Sequence, residues 1–135
     1  MDNQGTIPVL LVTGYSPRCE VIRENLAAIN NGLIQLEVLQ STSQLDQLHG
    51  FKPEVSVLDL ANLHQPPVEC VQKIKKSYPG SRILALHIYQ THSLIEPLFE
   101  SGIDGYLTYE PSKNELENAL LEVLNGNRFV PDSLH

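Results

Sequence analysis

Short apolar runs alternate five times with segments whose apolar residues recur every three or four positions. Residues 7 to 12 (IPVLLV) form an almost unbroken apolar run ended by Thr13-Gly14, the pattern of a strand buried on both faces. Pro17 suits a helix start, and Val21, Ile22, Leu26 and Ile29 then share one helix face until Asn30-Asn31-Gly32. A second strand is predicted over Ile34 to Leu39, followed by a short helix carrying Leu45 and Leu48, with Ser41 to Ser43 as caps and Gly50 as the stop.

Val55 to Leu60 (VSVLDL) is a third apolar strand, interrupted by the carboxylate of Asp59. A charge near the end of a buried strand is costly unless it has a partner or a use, which makes Asp59 the most informative residue of the first half. Val68, Val71 and Ile74 mark a third helix ended by the Ser77 to Gly80 turn, and Ile83 to Leu86 is the fourth strand. Helical spacing resumes from His92 to Ser101, where Pro97 predicts a helix that is short, kinked or late to start, because proline lacks an amide and crowds the carbonyl of Ser93. Tyr106 to Thr108 gives a fifth strand, and Leu116, Ala119, Leu120 and Val123 give a last helix stopped by Gly126. Five strands alternating with five helical patterns specify an α/β fold, a doubly wound parallel sheet of order 2-1-3-4-5, with residues 1 to 125 as one domain and 126 to 135 as a tail.

The composition narrows the function classes. Of 135 residues, 9 are Lys or Arg and 16 are Asp or Glu, and the resulting charge of -7 opposes the phosphate neutralisation that nucleic-acid binding needs. Cys19 and Cys70 stand far apart, with neither a CxxC pair nor a His cluster, and read as buried reduced thiols. No basic leader with an apolar stretch and no membrane-length run is visible, so the expectation is a cytoplasmic chain without a membrane partner.

Ligands of open α/β sheets sit beyond the carboxyl ends of the strands, where Thr13, Gly14, Asp59, His87 and Tyr109 should converge. Neither GxGxxG nor GxxxxGK[ST] occurs, so nucleotide cofactors lose their main support. Two stretches carry a resemblance: Pro53 to Leu60 (PEVSVLDL) and Ser101 to Leu107 (SGIDGYL). They resemble the receiver domains of response regulators, flavodoxin-like (CheY-like) in fold, in the flavour that precedes helix-turn-helix output domains of the NarL/FixJ type. The resemblance covers residues 7 to about 125 and makes Asp59 the phosphoacceptor candidate.

The departures fall on the residues that the family's chemistry uses. Two adjacent carboxylates after the first strand hold a divalent metal in the family, whereas Thr13-Gly14 stand here, so the resemblance implies no cofactor, or weak Mg²⁺ at most. His87 occupies the place of the switch hydroxyl and Tyr109 that of the phosphate-pairing lysine, while the loop after Asp59 has Leu63 for proline and Pro67 for glycine. These departures predict an atypical, non-enzymatic receiver that acts by protein-protein contact or dimerisation. The alternatives are a conventional switch phosphorylated at Asp59 by a histidine kinase and a small hydrolase using His87, although no serine or cysteine elbow accompanies that histidine. Beside Asp59, His87 is also a candidate pH-sensitive group. The remaining histidines, His49, His64, His92 and His135, show no ligand spacing.

The family commonly docks partners on the helix after the fourth strand, the fifth strand and the last helix, a face that would include His92, Glu96, Tyr106, Lys113 and Glu117. The expected partner is a second copy or another protein. Gly126 to Pro131 resembles the exit into a linker before a DNA-binding output domain, to which transcriptional control would belong.

Overall fold

The computed structural model describes residues 6–108 and 110–131. Five parallel strands, β1 (Ile7–Val12), β2 (Ile34–Leu39), β3 (Val55–Asp59), β4 (Arg82–His87) and β5 (Gly105–Thr108), lie in the order β2-β1-β3-β4-β5. The helices are α1 (Ser16–Ala27), α2 (Pro67–Ser77), α3 (His92–Ser101) and α4 (Lys113–Leu124). The fold class and strand order are those expected from the alternation of apolar patterns.

Two apolar layers explain why the central strands are apolar throughout. Leu10, Val12, Leu58, Ile83 and Ala85 face Cys70, Val71, Ile74, Ile95 and Leu98 of α2 and α3. The alternate residues Val9, Leu11, Val57, Leu84 and Leu86 face Ile22, Leu26, Leu116 and Leu120 of α1 and α4. Each central strand is thus buried on both faces, as period-two side chains require in a doubly covered sheet.

Two local readings change in the folded chain. The second helical pattern forms a 3-10 helix over Thr42–Gln47, capped by the Ser41 side chain on the Ser43 amide; only Thr42 and Leu45 of it are buried. Pro97 delays nothing: α3 starts at His92 and continues through proline to Ser101.

The SGIDGYL stretch has a structural use. The Asp104 side chain accepts from the Ile83 amide at 2.9 Å, and the Asp104 amide donates to the Ile83 carbonyl at 2.8 Å, which fixes β5 beside β4. A Cβ on Gly105 would lie 2.9 Å from Val123 and 3.0 Å from Leu84, so glycine lets α4 and β4 close on this strand. The described part of the tail returns to the sheet, where the Phe129 amide donates to the Asp104 carbonyl and the Tyr106 amide donates to the Phe129 carbonyl.

Candidate functional site

Strand register brings the site together. Val12 is opposite Leu58 and Asp59 is opposite Leu86, so Thr13, Asp59 and His87 lie at the carboxyl ends of three adjacent strands. Asp59 has 0% exposure and is enclosed by donors. The Thr13 hydroxyl donates to Oδ2 at 2.7 Å, Asn62 Nδ2 donates to Oδ2 at 2.8 Å, and Arg18 Nε donates to Oδ1 at 3.1 Å and Oδ2 at 3.0 Å. Three hydrogens thus converge on the carboxylate: Oδ2 accepts all three, and Oδ1 shares only the one from Arg18.

Arg18 and Asn62 were not among the residues expected at this site. Arg18 is in the first turn of α1 and is itself 8% exposed. It precedes Ile22 by four residues and Leu26 by eight, a spacing that puts it on the buried face of the helix. That phase, combined with the need of a buried carboxylate for a cation, was the available signal. Asn62 belongs to the 3-10 turn Leu60–Asn62 that directly follows β3, which turns its amide back onto Asp59.

Gly14 is held close to the same turn. Its amide donates to the Asn62 carbonyl at 3.2 Å, and a Cβ at this position would lie 2.5 Å from that oxygen. Position 14 therefore has no room for a carboxylate side chain unless the loop after β3 moves.

His87 is buried, at 7% exposure, and its Nδ1 has no hydrogen-bond partner among the described residues. Its ring stacks against Tyr89, with centroids 4.1 Å apart and planes inclined by 33°. Burial pushes the imidazole pKa down from its ordinary value, and the nearby Asp59 charge opposes that shift. Tyr109 lies outside the described residues.

On the expected docking face, His92, Glu96 and Lys113 are exposed and Glu117 is partly buried. Tyr106 is not a surface residue: it is fully buried, and its hydroxyl donates to the Tyr89 carbonyl at 2.8 Å. Its ring belongs to the same apolar layer as Ile95 and Leu98 of α3, so it fills the core beneath that helix. Ile88, 59% exposed, and Leu94, 49% exposed, supply large apolar surface after β4 and in the first turn of α3.

A divalent ion has little to hold here. Asp59 is one carboxylate with its oxygens already engaged, and no group of three or more His, Cys, Asp or Glu side chains among the described residues could ligate a metal. The residues present do not fit the Mg²⁺ site that the fold family implies. Among the described residues, no helix is long and apolar enough to cross a membrane.

No protein-family profile matches the chain. The transcriptional regulatory protein LnrK of Bacillus subtilis is 24% identical over 119 residues, covering 85% of this chain and 54% of LnrK. The chain thus spans about half the length of that relative. Among solved structures, a two-component response regulator of the LuxR family from Aurantimonas sp. superposes with a TM-score of 0.82 at 23% identity, covering 96% of this chain and 92% of that one. The RcsB response regulator of Salmonella typhimurium gives a TM-score of 0.81 at 18% identity, with 96% of this chain and 64% of RcsB covered. The chain has a CheY-like receiver fold related to response regulators of the NarL/FixJ type, and its Asp59 is enclosed by Thr13, Arg18 and Asn62.

Proposed function

We propose that the domain is a signalling module that docks a protein partner, or a second copy of itself, in a state set without phosphorylation of Asp59. One observation carries this reading: the carboxylate that would attack a phosphodonor has 0% exposure and is bonded to Thr13, Arg18 and Asn62. A nucleophilic oxygen needs an approach path, and Asp59 is fully buried with three donors holding its charge. The docking face in this reading is α3 with the start of α4, carrying His92, Glu96, Lys113 and Glu117 beside a strand held by the Tyr106–Tyr89 contact.

A hydrolase is disfavoured by the same contacts. The Thr13 hydroxyl gives its hydrogen to Asp59, so it is neither paired with His87 as a base nor presented to a substrate. As part of a longer polypeptide, the domain would regulate a DNA-binding output segment, by analogy with relatives that are transcriptional regulatory proteins. A histidine kinase would be its partner only if Asp59 proved reactive.

The test compares wild type with D59N, each incubated with Mg²⁺ and acetyl phosphate. Intact mass reads phosphoryl addition, and light scattering reads oligomeric state. The expected result is no mass increase and the same oligomer before and after treatment. Stoichiometric addition to wild type, absent in D59N and accompanied by altered dimerisation, would restore the conventional switch.

A further inference from the structure

The misfit between Asp59 and a divalent ion has a second cause beside the missing carboxylates at Thr13-Gly14. We infer that Arg18 is a resident counter-cation: its guanidinium takes the place of a metal ion at Asp59 and masks a latent cation site made of Asp59 with the neutral oxygens of Thr13 and Asn62. This deepens the phosphorylation-independent reading and rests on it only in giving wild-type Asp59 no phosphoryl chemistry. Which surface docks a partner is a separate matter.

Three observations support the substitution of one cation by another. The first is position: Arg18 reaches Asp59 from the start of α1, just beyond β1, on the same side as Thr13-Gly14. The second is occupancy, since Nε lies 3.1 Å and 3.0 Å from the two carboxylate oxygens and bridges them as a small cation would. The third is polarity. Thr13 and Asn62 both turn hydrogens toward Oδ2, the orientation that suits an anion neutralised from within, whereas a metal would need their oxygens turned inward.

A covalently attached cation also has a concentration advantage. It cannot dissociate into solution, and expelling it would part a guanidinium that is 8% exposed from the carboxylate it neutralises. Mg²⁺ would have to shed water, displace this group and reorient two side chains for a single carboxylate ligand. Removing the guanidinium reverses the balance, because Asp59 then stands buried without a counter-charge and a divalent ion becomes its most available partner.

The experiment measures calorimetric binding of Mg²⁺ and Mn²⁺, and melting temperature with and without each ion, for wild type, R18A, R18M and R18A/D59N. R18M retains most of the buried stem and R18A/D59N removes both charges, so loss of the fold in R18A alone does not end the comparison. The expected result is tighter ion binding by R18A and R18M, by about tenfold or more, with a melting temperature that rises on adding ion. Wild type and R18A/D59N should not respond. Folding of R18A only in the presence of ion would also support the inference. Equal ion affinity in wild type and folded R18M would overturn it, as would an ion response that persists in R18A/D59N. Loss of docking in a wild type that ignores ions would instead refute the docking reading and leave the role of Arg18 standing.

Discussion

Arg18 and Asp59 are 41 residues apart in sequence and form a buried ion pair in which one guanidinium nitrogen bridges both carboxylate oxygens. Breaking such a pair from one side leaves an uncompensated charge in the interior. R18M or D59L alone is expected to lower unfolding free energy by about 3–5 kcal/mol, whereas R18M/D59L should lose much less than the sum of the two. Urea denaturation of the two singles and the double forms the cycle, and additive losses would contradict the assignment of a coupled pair.

Restoring an acidic residue at position 14 should damage the domain before it improves metal binding. The Cβ of G14D would meet the Asn62 carbonyl at 2.5 Å, and that oxygen is already held by the Gly14 amide. A cost of about 1–3 kcal/mol is expected for overpacking against backbone. The melting temperature of G14D, compared with T13D at the neighbouring position, checks this prediction.

The buried His87 makes stability depend on pH in one direction. Its folded pKa is depressed by burial, against the pull of Asp59, so the unfolded chain binds the proton more readily. The stabilising contribution is present above the unfolded value, about 6.5, and is lost as pH falls through the folded value. H87Q should flatten the slope of stability against pH in the mildly acidic range; an unchanged slope in denaturation series would exclude His87 as its source.

Tyr106 holds the segment after β4 through its hydroxyl. Burial raises the phenol pKa, so it remains a neutral donor to the Tyr89 carbonyl. Y106F removes this bond without opening the core and is expected to cost about 1 kcal/mol. Hydrogen exchange should quicken at Leu94 and Ile95, whose amides donate to Thr91 at the start of α3, and an unchanged pattern would show that the loop is fixed by other contacts.

The strands were legible because the apolar runs at 7 to 12 and 34 to 39 have the observed boundaries, and no polar residue competes inside the first of them. The segment at Thr42 to Gln47 was harder: its Ser and Gln side chains bond to nearby backbone and favour a 3-10 turn over a longer helix. Asp59 and Thr13 could be placed from strand ends alone. Arg18 could not be found by following apolar periodicity, because it occupies a core-facing helix position with a charged group. Its partner lies on a strand more than forty residues away, and only the folded register brings the two together. Tyr106 was misplaced on the surface for a related reason, since the alternation of a four-residue strand says little about which face is covered.

The return of Phe129 onto β5 leaves the two margins of the sheet unequal. At β5 the Asp104 carbonyl and the Tyr106 amide already have backbone partners from the same chain, so a foreign strand would have to displace that segment to add itself there. At β2 the protection comes from side chains, with Gln35 and Glu37 exposed along the outer strand and Glu37 adding charge. Aggregation by strand addition, if forced by heat, should therefore begin at β2, where a single exposed carboxylate is the strand's charged defence against a neighbour.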